Sequence, residues 1–480
     1  MKVAILGAGI SGICMAIKLK KAGITSYTIF EKSPELGGTW FDNTYPGAAC
    51  DVPSHLYSFS FEIKTDWTRK YAGSQEINEY LNFCADKYKI TPNINFNVQI
   101  ESAHFNKREG VWILKSAEGK SYKAEFLISG LGQLNSPNIP IIEGQEYFKG
   151  CSFHSSQWDH SVDLNGKDVA VIGNGGSAVQ FIPHIGKIAR KLYIFQRSAH
   201  WGMARIDFAY SSFHKFIFKN IPLIQKIYRF FIWLQLGSNF YAIVKKTWYS
   251  NFVKKTISNY MSSIIKEPSL LKKLTPNYSL GCKRLLVVEN YYETLIQENI
   301  EVINVPIKKI NSNSIIDLNN VERKIDALIY GTGFQTSKFL TPIEIFNAKN
   351  QSLNNYWADG AKAHRGVTIP DFHNFFILYG PNTNLGHNSI IFMIECQVKY
   401  VVRCLEKVIK LGGRMISPKH ESMELYNSRL QKGLKTTVFS EDCNSWYKNN
   451  SGKILNNYNK GHVEYFLENT FPKFHEYDLS

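Results

Sequence analysis

No C-x-x-C pair occurs in this 480-residue sequence. Its eight cysteines (Cys14, Cys50, Cys84, Cys151, Cys282, Cys396, Cys404 and Cys443) lie scattered along the chain. A zinc ribbon and a dithiol redox centre are therefore not signalled, and no metal site is expected. Scattered thiols suit a reducing cytosol, so the expected location is cytoplasmic. No dense run of basic residues stands out, which argues against a nucleic-acid-binding arm and against nucleic acid as a partner. Long apolar runs are also missing. In the aromatic middle of the chain the longest uncharged run, between Arg229 and Lys245, is short of the roughly eighteen residues a spanning helix needs. No signal peptide is expected either, because Lys2-Val3-Ala4-Ile5-Leu6 runs straight into glycines and reads as a first strand. With 44% hydrophobic and 20% charged residues, the composition excludes disorder, collagen-like structure and a small disulfide scaffold. At roughly 150 residues per domain, the length suggests about three domains.

Charge is present in excess of one sign. Fifty-six Lys and Arg against forty Asp and Glu give a net +16. Such a balance suits an anionic cofactor, an anionic membrane, or a plain solvated basic surface.

The N-terminus carries a motif with a physical job for each part. Val3 to Leu6 is an apolar run fit for a strand buried on both faces. It leads into Gly7-Ala8-Gly9-Ile10-Ser11-Gly12, a helical pattern, and a second strand Ser26–Phe30 that ends in Glu31. Gly7 permits the turn, Gly9 lets backbone approach a pyrophosphate, and Gly12 lets helix lie close on strand. The helix start supplies N–H groups and a positive dipole end. Glu31 suits ribose hydroxyls and repels a 2′-phosphate, so FAD or NAD fits better here than NADP.

The pattern recurs mid-chain with a different ending. Asp168–Ile172 is a strand and Gly173-Asn174-Gly175-Gly176-Ser177-Ala178 is the turn. A helix is expected over Val179–Ile188, then the strand Lys191–Phe195. That strand ends in Gln196-Arg197-Ser198 rather than in an acid, and Arg with a hydroxyl beside it suits the 2′-phosphate of NADPH. Two Rossmann units of opposite preference point to a flavoprotein fed by a nicotinamide. The strands Phe126–Ser129 and Ala327–Tyr330, each ending at glycine, mark where the chain crosses between the units.

Between the two units stands Phe148-Lys149-Gly150-Cys151-Ser152-Phe153-His154-Ser155-Ser156-Gln157-Trp158-Asp159. This F-x-G-x-x-x-H-x-x-x-W-D resembles the fingerprint of class B flavoprotein monooxygenases, in particular the type I Baeyer–Villiger monooxygenases. Further segments agree: Gly37-Gly38-Thr39-Trp40, Tyr45-Pro46-Gly47 through Asp51, Gly281-Cys282-Lys283-Arg284, Gly331-Thr332-Gly333, Gly380-Pro381-Asn382 through His387, and Trp446-Tyr447. The resemblance covers about residues 2 to 465.

It implies an α/β fold of two Rossmann-like dinucleotide-binding domains, for FAD and NADP, with a helical insert in the NADP domain. The expected units are 1–145 and 334–480 for FAD, 146–205 and 279–333 for NADP, and 206–278 for the insert. It implies an FAD- and NADPH-dependent monooxygenase that forms a C4a-peroxyflavin and inserts one atom of O2 into a hydrophobic ketone, giving an ester or lactone. A flavin-containing monooxygenase acting on sulfur or nitrogen is the alternative. Arg284 would stabilise the developing negative charge, and Asp51 would orient Arg284. The implied cofactor contacts are Gly7, Gly9, Gly12, Glu31, Gly38, Thr39, Trp40 and Asp51 for FAD, with Asn382 on the flavin side. For NADP they are Gly173, Gly175, Ser177, Ala178, Arg197, Ser198 and Lys283, with Gly333 beside them. His154 and Trp158 are expected to serve packing or hinge motion rather than proton transfer, sharing one face if their stretch is helical.

Three positions depart from the family pattern: Thr44 before Tyr45-Pro46-Gly47, Ala199 after Ser198, and Asn457–Gly461 in place of W-P-G. The insert is rich in Phe, Ile, Tyr and Trp with interspersed Lys. The plain expectation is a helical lid over a hydrophobic pocket. A peripheral contact with a membrane interface is the lesser one.

Overall fold

The computed structural model describes every residue except Ser337, Arg414, Asn444 and Asn450. Two five-stranded sheets dominate. In the first, the order is Phe375–Ile377, Phe126–Ser129, Val3–Leu6, Tyr27–Phe30 and Ile94–Asn95, with every pairing parallel. In the second, it is Ile300–Ile303, Lys191–Phe195, Asp168–Ile172, Ala327–Tyr330 and Cys151–His154, again all parallel.

Strands with neighbours on both sides and helices on both faces need no polar alternation. Val3–Leu6 and Ala327–Tyr330 are accordingly buried at all four positions. The helix Ile10–Lys21 covers the first sheet, with Ile13, Ile17 and Leu19 fully buried against it. Each such side chain contributes about 1.5–3 kcal/mol by leaving water. Lys18, Lys20 and Lys21 in its last turn suit the negative end of the helix dipole.

The chain passes from the first sheet to the second after Ser129 and returns after Tyr330. The two crossings run side by side: Pro137 and Phe334 form an antiparallel bridge. The Asn138 N–H donates to the Gly333 carbonyl at 2.9 Å, and the Gln335 N–H to that of Ser136 at 2.9 Å. Two smaller sheets flank these units. One joins, in order, Glu344–Phe346, Ile100–Asn106, Val111–Ser116 and Ser121–Ala124, its first pairing parallel and the others antiparallel; the other joins Ile307–Ile310, Ser314–Asp317 and Glu322–Lys324, all antiparallel.

The insert folds as helices Ser212–Asn220, Pro222–Ile243, Trp248–Ile264 and Pro268–Leu274. No helix among the described residues is long and apolar enough to cross a membrane.

Three local expectations change. The helix after the second glycine turn spans Ala178–Ile185, not Val179–Ile188. Pro183 offers no N–H to the ladder and Gly186 follows, so the helix closes early. His154 and Trp158 flank a single 3₁₀ turn, Ser155–Gln157, rather than riding one α-helical face. Finally, not all cysteines are free thiols: Cys282 and Cys443, 161 residues apart, form a disulfide. The other six are free, five of them buried.

Candidate active site

Both glycine turns lie at the C-terminal ends of central strands, where a parallel α/β sheet presents its ligand crevice. In each, the first glycine has positive φ and abuts the glycine that ends the neighbouring strand. A Cβ on Gly7 would come 3.1 Å from the Gly130 carbonyl, and one on Gly173 would collide with the Gly331 carbonyl. A Cβ on Gly12 would collide with the Gly7 carbonyl, which is the close helix–strand approach expected of the third glycine.

At the first turn, no side chain caps the helix starting at Ile10 and its first turn holds no acid. Its leading N–H groups are thus available to a phosphate. Glu31 is buried and folds over the turn, accepting from the Ala8 N–H at 2.7 Å and the Ser33 N–H at 2.9 Å. Gly38 lies against Gly9, and the short helix Thr39–Asp42 follows it. The Trp40 indole N–H donates to the Tyr57 hydroxyl at 3.2 Å, which fixes the indole's orientation. An acid at the ribose position and an uncapped helix start fit an adenine dinucleotide without a 2′-phosphate.

At the second turn, open space lies over Gly175, and Ser177 begins the helix Ala178–Ile185 without capping it. Arg197 is exposed at the end of its strand. Lys283 is buried and donates to the Ser198 hydroxyl at 2.6 Å. Burial, then the nearby Arg197 charge, lowers the Lys283 pKa. Burial and then the charges of Lys283 and Arg197 lower that of His200 to about 4. Among the described residues neither Arg197 nor Lys283 has a carboxylate partner. Two cations gathered without a counter-charge fit a phosphate.

Arg284 lies beside the second turn. Its guanidinium donates to the Asp51 carboxylate from 233 residues away, and a Cβ on Gly176 would stand 3.9 Å from its Nη1. The Asp51 charge raises the Arg284 pKa against the pull of burial, so this side chain stays cationic. Tyr447 is buried near it and pushed up to about 12, burial outweighing the lowering effect of Arg284. Tyr379 and Tyr45 are likewise raised by burial and lowered by Arg284. The disulfide ties the residue just before Lys283 to the stretch that carries Tyr447.

The sequence profile of the pyridine nucleotide-disulphide oxidoreductase family matches residues 4–214. A Baeyer–Villiger monooxygenase of Pseudomonas aeruginosa is 40% identical over 93% of this chain and 85% of its own length. One from Streptomyces coelicolor is 35% identical over 94% and 88%. This chain belongs to the Baeyer–Villiger monooxygenase family. The FAD-binding monooxygenase ktnD of Aspergillus niger is 36% identical over 97% of this chain and 79% of its own. Among solved structures, an oxidized steroid monooxygenase bound to NADP superimposes with a TM-score of 0.88 at 25% identity, covering 100% and 99% of the two chains. OTEMO in complex with FAD and NADP does so with a TM-score of 0.89 at 23% identity, over the same shares. The fold is the two-dinucleotide-domain α/β fold of those structures.

The fingerprint of the monooxygenase is anchored within the second unit, beside the chain crossing. His154 is buried, its Nε2 3.0 Å from the Gly333 carbonyl and its Nδ1 2.8 Å from the Ser156 hydroxyl. Both ring nitrogens are engaged, and burial lowers its pKa. Trp158 packs on Phe153 and Phe181. Thr44, a departure from the family pattern, accepts or donates at 2.9 Å to His160 just beyond the fingerprint. Asn382 spends its amide on the carbonyls of Ile454 (2.9 Å) and Asn457 (3.0 Å), so its N–H groups brace the C-terminal segment.

Sequence reasoning did not find Gln180. Its side chain accepts from the Tyr45 hydroxyl at 3.0 Å and donates to the Ala49 carbonyl at 3.0 Å, joining the Asp51 loop to the second Rossmann helix. Nothing in its local pattern marks it. Tyr379 was also missed, although it immediately precedes the Gly380-Pro381-Asn382 segment.

Proposed function

We propose that this monooxygenase inserts one atom of O2 into a hydrophobic ketone to give an ester or lactone. The enzyme uses FAD and NADPH. When bound, FAD reduced by NADPH activates O2. Residues 1–145 and 334–480 form the FAD unit, 146–205 and 279–333 the NADP unit, and 206–278 the insert.

Gly7, Gly9, Gly12 and Glu31 receive the FAD pyrophosphate and ribose. Gly38, Thr39, Trp40 and the Asp51 loop border the flavin, as does the segment containing Asn382. Gly173, Gly175, Ser177 and Ala178 receive the NADP pyrophosphate, with Gly333 beside them. Arg197, Ser198 and Lys283 take the 2′-phosphate. A cytoplasmic setting accords with six cysteines being free, with Cys282–Cys443 as the departure.

The observation that carries the ketone reading is the Asp51–Arg284 pair facing the second glycine turn. Addition of an oxygen nucleophile to a ketone places negative charge on the carbonyl oxygen. A guanidinium held in place before the charge appears stabilises it without reorganisation. Asp51 holds Arg284 in position and does not itself exchange a proton in this scheme. Oxidation of a thioether or amine by an electrophilic oxygen creates no such oxyanion on the substrate, and so has less use for Arg284.

A panel of ketones and thioethers under ¹⁸O2 tests this, with NADPH consumed counted against product and H2O2. Label in an ester from ketones is the expected result. Sulfoxides alone, with no ester from any ketone, would return the enzyme to heteroatom chemistry.

A further inference from the structure

The central helix of the insert buries polar groups along with Ile232, Ala242 and Ile243. Gln225, Arg229, Gly237 and Phe240 also meet the body of the protein. The Gln225 amide donates to the Lys64 carbonyl at 2.8 Å and lies 3.1 Å from His55 Nδ1. The Arg229 guanidinium donates to the Ser58 hydroxyl and carbonyl, each at 3.0 Å, and to the His55 carbonyl. Gly237 lies against His462, and Phe240 packs on His387.

The outward face carries Leu223, Ile227, Phe230, Leu234 and Tyr241, with Ile224 and Phe231 beside them, all exposed. The steps of four, three, four and seven residues keep them on one side of the helix. Leu223 is 65% exposed and Phe231 62%. The flanking helices extend the surface: Phe213 (68%) and Phe216 lie on one, Trp248 (79%) and Phe252 on the other. Exposed apolar side chains gathered on neighbouring helices mark an interaction site.

Its charge is as one-sided as its polarity. Residues 208–266 hold eight lysines, one arginine and no acid, so these 59 residues carry nine of the net sixteen positive charges. Lys219, Lys226, Lys254 and Lys255 are exposed, and among the described residues none is in an ion pair.

We propose that this face docks on an anionic lipid bilayer, lying in the interface with its aromatic residues among the acyl chains and its lysines on the headgroups. A second copy of the chain is disfavoured. A two-fold interface would set this acid-free surface against itself, with nothing to neutralise the lysines. Nucleic acid would satisfy the lysines but leave the Leu, Ile and Phe stripe in water. Among the described residues no helix is fit to span, so the contact stays on one leaflet. Docking does not depend on the ketone reading of the active site.

The test is flotation of the full-length FAD-bound enzyme with phosphatidylcholine vesicles, with and without phosphatidylglycerol. Wild type is expected to float with the anionic vesicles about tenfold more than with the neutral ones. The triple substitution Ile227→Ser, Phe230→Ser, Phe231→Ser and the pair Lys254→Glu, Lys255→Glu should each cut flotation about tenfold or more. Flavin content and the rate of flavin reduction by NADPH should be unchanged in both, which separates lost docking from lost folding. No flotation of wild type, or flotation indifferent to both variants, overturns the proposal. So does a wild-type dimer in lipid-free buffer that the triple variant converts to monomer, since a second copy would then cover the face.

Discussion

Replacing Arg284 with Ala separates what the Asp51–Arg284 pair does for the fold from what it does for the reaction. The two side chains are 40% and 30% exposed, so solvent screens them. Two unit charges about 4 Å apart interact by about 4 kcal/mol at an effective dielectric near 20, and partial exposure brings this toward about 1 kcal/mol. Thermal stability should therefore hardly move. The reaction should lose far more: a fixed donor aimed at developing oxyanion charge is worth about 3–4 kcal/mol, or about 10²–10³ in kcat. Ester formation from a ketone should drop by that factor while NADPH still reduces the flavin in stopped flow, with the oxygen diverted to H2O2. Asp51→Asn keeps the shape but not the charge, and should cost about 10–100-fold. Because Asp51 works through Arg284, the double variant should be no slower than Arg284→Ala alone. Ester formation by Arg284→Ala within about tenfold of wild type would refute the oxyanion role. Multiplying effects in the double variant would show that Asp51 acts on the substrate independently.

Lys283→Ala should raise the KM for NADPH about 10–100-fold and leave that for NADH nearly unchanged, since a charged hydrogen bond is worth about 1.5–3 kcal/mol. Arg197→Ala, removing an exposed charge, should act the same way at the lower end; initial rates with both coenzymes check this. Cys443→Ser should lower the melting temperature, because closing a 161-residue loop is worth at most about 5 kcal/mol in chain entropy. A wild-type melting curve indifferent to dithiothreitol would mean the bond is not formed in solution. Glu476 gives an acid-stability prediction. Burial alone would raise its pKa, but hydrogen bonds from His364 and Arg365, with their charges, hold it at about 2 against an ordinary 4.5. A carboxyl depressed by folding stabilises fully above the unfolded pKa. Discounted for solvent screening, that contribution is about 1–2 kcal/mol and should be lost as pH falls from about 4.5 to about 2. Denaturant titrations of wild type and Glu476→Gln should converge at the acid end and differ at neutral pH.

What the sequence disclosed, and what it hid, divides by range along the chain. Val3–Leu6, Val169–Ile172 and Ala327–Tyr330 were legible because parallel strands buried on both faces read as apolar runs ended by glycine. The glycine turns were legible because steric need selects the residue locally. Pairings across the chain were not. Gln180 reaches Ala49 over 131 residues, and Cys282 meets Cys443 over 161. No local pattern encodes either, because the second sheet and the C-terminal segment bring the partners together. The Asp51–Arg284 pair is as distant, and only a family resemblance pointed to it. The 3₁₀ turn before Trp158 fails for another reason. An i, i+4 spacing predicts a shared face only where a helix forms, and here His154 caps a single turn through its own ring.

The insert shows why composition alone could not say what the positive charge is for. Summed over the chain, +16 looks like a uniform basic surface. Resolved in space, it has at least two populations with opposite surroundings. Lys283 faces inward beside Arg197, and Arg284 faces a carboxylate, where charge gathers around the place of an anion. Lys219, Lys226, Lys254 and Lys255 face outward, unpaired among the described residues, around exposed aromatic rings. A solvated basic surface would intersperse acids among the lysines, because like charges crowded together repel. Between Asp207 and Glu267 there is none. The exclusion of acids from one stretch of chain, together with a helix that buries Gln225 and Arg229 while exposing Leu223, Phe230, Phe231 and Leu234, is a local sign that the net charge averages away. It is what a surface built to meet something both apolar and anionic requires.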